Sequence, residues 1–85
     1  MTGSEAPRRT NQDYFEALLA QLRAEGHRGW AVRLDEVLHH VAWTTGSELL
    51  GAVGLLLREL QQARPPLSRP LRQLLRACRR RTGVR

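Results

Sequence analysis

Thr45-Gly46-Ser47-Glu48-Leu49-Leu50-Gly51-Ala52-Val53-Gly54-Leu55-Leu56-Leu57-Arg58-Glu59-Leu60, followed shortly by Pro65-Pro66, decides the fold. At 3.6 residues per turn, Leu49, Leu50, Val53, Leu56, Leu57 and Leu60 share one side of a helix, whereas a strand would scatter them over both faces. Thr45 with Glu48 three residues on has the form of a capping box, so the helix is expected to begin near 46. Pro65 and Pro66 end it near 64: a proline pushes the residue before it out of the α region and donates no backbone bond itself. The apolar run from Leu49 to Leu57 is nine residues, against roughly 20 for a membrane-spanning helix. It reads as core, and no membrane span is expected.

The same period extends outward from this helix. Phe15, Leu18, Leu19 and Leu22 place one helix at 11–25, with Thr10 or Asn11 to cap it and Gly26 to stop it. Trp30, Leu34, Val37, Leu38 and Val41 place another at 28–43, so close behind that the two must form an antiparallel or steeply crossed pair. Ser68 opens the last helix at 69–81, with Pro70 tolerated in its first turn and Leu71, Leu74, Leu75 and Cys78 as its apolar stripe. No alternation of β-branched residues at period two occurs anywhere. The expected fold is all-α, a compact four-helix bundle-like single domain over 11–81, with a disordered leader at 1–10 and a disordered basic tail at 82–85. Its expected core is Phe15, Leu18, Leu22, Trp30, Leu34, Val37, Leu38, Leu49, Val53, Leu56, Leu57, Leu60, Leu71, Leu74 and Leu75.

A chain of 85 residues buries only about 60–65% of its unfolded surface, too little for the deep cleft most enzymes build. No nucleophile stands beside a recognisable base, so neither catalysis nor a cofactor is expected. His27, His39, His40 and Cys78 lack the paired spacing of zinc ligands, and adjacent histidines on a helix diverge, so no metal is expected either. The lone Cys78 cannot form an internal disulfide, and stabilisation by packing alone suits the cytoplasm. Met1 to Thr10 holds Glu5, Pro7, Arg8 and Arg9 without an apolar segment, unlike a signal peptide. All fourteen basic residues are Arg, a bias that fits GC-rich bacterial or phage coding.

Charge is divided sharply along the chain. Residues 1–66 carry seven Arg and all eight acids, a net of −1, whereas residues 67–85 carry seven Arg and no acid, a net of +7. Helical spacing gathers Arg69, Arg72, Arg76, Arg79 and Arg80 opposite the Leu71/Leu74/Leu75/Cys78 stripe. Helix-terminal cations are favoured by the macrodipole, which accounts for two or three arginines; the others are read either as a solvated face or as a face that meets an anionic surface, the latter suggested by the lack of any compensating acid. All four aromatic residues (Tyr14, Phe15, Trp30, Trp43) lie in the neutral part, so stacking partners for single-stranded nucleic acid are missing from the basic part. The turn before the third helix leads into leucines rather than a polar base-reading face, unlike a helix-turn-helix reader.

Two further features point outward. Gly51 and Gly54 each cost about 1 kcal/mol relative to Ala inside a helix, and with Ser47 they form a small-residue strip opposite the leucines. Such a strip is expected where another backbone comes close, in this bundle or in a partner that could be a second copy of the chain. Trp43, at the end of its helix, is expected to be core or an exposed partner anchor.

Leu18-Leu19-Ala20-Gln21-Leu22-Arg23-Ala24-Glu25-Gly26-His27-Arg28-Gly29-Trp30-Ala31-Val32-Arg33-Leu34 resembles the opening helical hairpin of small bacterial proteins, some of the immunity or antitoxin type. The resemblance rests on leucine pairs, a helix-ending glycine and a Trp-Ala-x-x-Leu step over about a third of the chain, and it brings no functional residue with it. It implies a small non-catalytic protein-interaction module, immunity, antitoxin or inhibitor-like. An acidic protein surface is the favoured partner, met by Arg69, Arg72, Arg76, Arg79 and Arg80 and by Ser47, Gly51, Gly54 and Trp43. The alternative is a small basic nucleic-acid-associated protein whose last-helix arginines contact phosphates.

Overall fold

Three of the four helices begin at a short hydroxyl side chain that answers an unpaired backbone N–H. The computed structural model describes residues 10–83 and forms α1 (Asn11–Ala24), α2 (Arg28–His39), α3 (Gly46–Ala63) and α4 (Arg69–Thr82), with no strand among the described residues. Thr10 opens α1 with a full capping box: its Oγ1 accepts from Asp13 N at 3.1 Å, and its own N–H donates to Asp13 Oδ2 at 2.8 Å. At α3 the box is only half made. Thr45 Oγ1 accepts from Glu48 N at 3.2 Å, but the Glu48 carboxylate takes the Thr44 and Thr45 hydroxyls instead of reaching back to the backbone. Ser68 caps α4 through Leu71 N at 3.2 Å, with Pro70 in the first turn.

The ends are equally specific. Gly26 sits at φ 81, and the bonds His27 N to Leu22 O (2.9 Å) and Gly26 N to Arg23 O (3.2 Å) make a Schellman closure of α1. Arg64 closes α3 at φ 49, a left-handed conformation that costs a residue other than glycine about 1–2 kcal/mol. Thr82 is the last residue of α4 and Gly83 caps it at φ 73; the rest of the expected tail, like residues 1–9 of the expected leader, lies outside the described residues.

Three helices end within one residue of the sequence expectation, and one departs further: α2 stops at His39, not at 43. The Val37 carbonyl would accept from residue 41 if the helix continued; it is taken at 2.7 Å by the Trp43 indole Nε1 as the chain folds back. Val41, expected on the apolar stripe, is consequently 42% exposed.

The helices run up, down, up and down in a ring. Each packs on its neighbours in sequence, α4 closes on α1, and the backbones of the diagonal pairs stay more than 8 Å apart at Cα. Pairs at matching heights fix the antiparallel sense: Glu16 with His39, Arg33 with Glu59, and Ser68 with Glu25. The core holds Phe15, Leu18, Leu19, Leu22, Ala31, Leu34, Val53, Leu56, Leu57, Leu60, Leu71, Leu75 and Cys78, all buried. Trp30, Val37, Leu38, Leu49 and Leu74 were expected inside and are only half-buried against it. On α2 the inward direction runs through Ala31 and Leu34, so Trp30 and Val37 fall at its margin.

Candidate anion-binding face

α4 turns Leu71, Leu75 and Cys78 inward at 0–5% exposure, which by helical period leaves its arginines outside. Arg69, Arg72, Arg76, Arg80 and Arg81 are exposed and Arg79 is half-buried. None of the six forms an ion pair with a carboxylate among the described residues. The body of the protein behaves differently: Arg33 pairs with Glu59 at 2.6 Å, and Arg23 with Asp35 at 3.4 Å. Among the described residues the ion pairs thus lie on the other helices, and no carboxylate there offsets the positive charge of the α4 arginines.

The fold divides the expected single face into two parts. On the α3 side, Arg72, Arg76 and Arg79 line a cleft of about 190 Å³ together with Arg64, which the connection after α3 delivers. Leu60 and Leu75 close its bottom, and half-buried Leu67 and Pro65 line its side. On the α1 side, Arg80 and Arg81 flank Tyr14, whose ring lies 4.3 Å from the Arg81 guanidinium carbon. Arg69, at the start of α4, lines neither hollow. Sequence reasoning missed Arg64, Arg81 and Tyr14. The Pro65-Pro66 break could have suggested that Arg64 returns beside α4, but nothing in the chain announces that α4 lies against α1.

The remaining candidates stand apart from this face. Gly51 is exposed and a Cβ built there meets nothing within 4 Å, so no part of this bundle makes the close approach expected of it; Gly54 is buried. Ser47 is exposed, and Leu55 on the same outer side is 63% exposed. Trp43 is half-buried and its indole is spent on the end of α2.

The other chemistry-bearing side chains are held by one another. His39 is clamped between Asp35 (Nδ1, 2.6 Å) and Glu16 (Nε2, 2.5 Å), which raises its pKa above the ordinary value; hydrogen bonds from His39 and His40 hold Asp35 below its own. Glu25 accepts from Gln21 (2.6 Å) and Ser68 (2.5 Å), and its pKa falls in consequence. Among the described residues no group of three or more His, Cys, Asp or Glu side chains converges as metal ligands. Burial pushes the Cys78 thiol up to about 12, and its Sγ donates to the Tyr14 carbonyl at 3.3 Å, so it is a packed side chain rather than a nucleophile. No helix of the described residues is long and apolar enough to cross a membrane.

No family model matches the chain, and neither a curated protein nor a solved structure matches it.

Proposed function

We propose that this chain is a small non-catalytic binding module, immunity, antitoxin or inhibitor-like, that docks on an acidic protein surface through the arginines of α4. The observation that carries the reading is that, among the described residues, no carboxylate pairs with any of six arginines concentrated on one helix, while Arg23 and Arg33 are paired elsewhere. A solubilising surface intersperses both signs, whereas a one-sign field suits a partner of the opposite sign. Guanidinium forks pair bidentately with carboxylates and gain strength when a partner excludes water. The bacterial or phage origin and cytoplasmic location inferred from composition fit such a role.

Nucleic acid is the second reading, and Tyr14 is the observation that favours it. The fold sets one aromatic ring beside Arg80 and Arg81, although the sequence separates them by more than sixty residues. The test is chemical cross-linking in the cells that encode the protein, comparing wild type with the variant Arg72→Glu/Arg76→Glu/Arg79→Glu. The variant is expected to fold, since these side chains leave the core, and to lose an acidic protein that wild type captures through cross-links at α4. Equal capture by the variant refutes docking through this face. Recovery of nucleic acid in place of protein selects the second reading.

A further inference from the structure

Three of the four helix contacts in the ring carry a polar tie across them: Glu16 to His39 for α1 and α2, Arg33 to Glu59 for α2 and α3, and Ser68 to Glu25 for α1 and α4. Between α3 and α4 no side-chain hydrogen bond or ion pair joins described residues. The cleft described above lies at this seam, rimmed by cations with no carboxylate in its lining. Glu59 is the one acid in the C-terminal half of α3, and it faces α2, where Arg33 holds it.

Resting on the docking reading, we infer that this seam is the pocket that gives the arginine face its specificity: it takes one apolar side chain of an acidic protein segment, whose flanking carboxylates pair with Arg72, Arg76 and Arg79. Its size supports one side chain over a metabolite, because about 190 Å³ falls below the roughly 300–1,000 Å³ of small-molecule sites. Its chemistry is that of an interface anchor point, a hollow of mixed lining in which Leu60, Pro65, Leu67 and Leu75 stand beside Gln61 and four arginines that lose water when it is filled. Arg72 and Arg79 stand seven residues apart on α4, about 10 Å at 1.5 Å per residue, so the carboxylates are spread over a similar length of the partner. The lining contains no aromatic ring, so a nucleic-acid base finds no stacking surface there and a phosphate chain leaves the hollow unfilled.

The experiment uses the full chain and two synthetic helical peptides, identical in their glutamates and differing only in a central Leu or Ala, with a DNA duplex as third probe. Binding is read by fluorescence anisotropy, and the contact site by methyl NMR of Leu60, Leu67 and Leu75. The Leu peptide is expected to bind at least about tenfold more tightly than its Ala twin, and to shift those methyls. Arg72→Gln/Arg76→Gln is expected to weaken both peptides, while Arg80→Gln/Arg81→Gln leaves the Leu-to-Ala ratio unchanged. Leu67→Ser, checked by its melting curve, is expected to compress that ratio toward one. Equal affinity for the two peptides, with Arg72 and Arg76 still required, overturns the pocket and leaves docking intact. Failure of both peptides to bind overturns pocket and docking together. Tighter binding of the duplex than of the Leu peptide also overturns the pocket and transfers the face to nucleic acid.

Discussion

Arg76 is the cation with most like-charged neighbours on α4: Arg72 lies four residues before it, Arg79 three and Arg80 four residues after. Each such pair places two guanidinium stems on adjacent turns and opposes the helix by about 0.2–0.5 kcal/mol. No carboxylate among the described residues offsets any of them. Arg76→Gln removes three repulsions at once, so the summed gain is about 1 kcal/mol at low salt, since Gln and Arg have nearly equal helix propensity and Gln keeps part of the stem. In a domain of this size that corresponds to a rise in Tm of roughly 4–8 °C. The last-turn cations Arg79, Arg80 and Arg81 are partly favoured by the macrodipole, whereas Arg76 lies before that turn and benefits least. Thermal denaturation of wild type and variant, run at low salt and at physiological ionic strength, reads the effect, and the increment is expected to shrink as the Debye length falls from about 30 to 8 Å. A variant less stable than wild type at low salt refutes the reasoning: Arg76 would then be held by contacts within the fold, and α4 would not be carrying an uncompensated charge.

Gly51→Ala is expected to stabilise by about 1 kcal/mol in urea unfolding, because the helix interior gains a better former and the added methyl meets open space; destabilisation would place a partner backbone on that strip. Leu57→Ala, at 1% exposure beneath all the surface charge, is expected to cost about 2–5 kcal/mol, and a variant that unfolds at the wild-type urea concentration would remove Leu57 from the core. Stability is expected to be greatest between about pH 4.5 and 6.5. The raised pKa of His39 gives a contribution that is complete below the ordinary 6.5 and is lost as pH climbs through the folded value. The lowered pKa values of Asp35 and Glu25 give contributions present above their ordinary 3.8 and 4.5 and lost as pH falls through the folded values. Urea midpoints across pH 3–9 check this, with His39→Gln flattening the alkaline flank; an unchanged flank would show that the Glu16–His39–Asp35 clamp is not formed in solution.

The helices were legible because their signals are local. Thr45, Ser68, Gly26 and the Pro65-Pro66 break act through the backbone within a few residues, and all four mark ends in the structure. The end of α2 was not legible, because it is set by Trp43 returning to the Val37 carbonyl, a contact that depends on where the chain goes next. The interior was legible for most of α3, where Val53, Leu56, Leu57 and Leu60 are buried as their spacing indicates and Leu49 and Leu50, near its start, are half-buried. It was less so for α2, where Ala31 is buried and Trp30 only half-buried once α1 and α3 have chosen the direction. For the candidate face, the separation of Arg from Leu on α4 followed from helical period alone. Its division into an Arg72/Arg76/Arg79 cleft joined by Arg64 and an Arg80/Arg81 pair beside Tyr14 required knowing that α4 lies between α3 and α1.

The claim that the arginines of α4 await an acidic protein rather than a nucleic acid is tested most directly by competition. Wild-type protein holding the fluorescent glutamate-and-leucine peptide is titrated with a DNA duplex of equal total charge at physiological ionic strength, where charges beyond about 8 Å are screened. The peptide is expected to stay bound until the duplex is in large excess, because the α3–α4 cleft retains its apolar side chain when salt has weakened the purely ionic contacts. Displacement by equimolar duplex, with a steep loss of duplex affinity as salt rises, would contradict it.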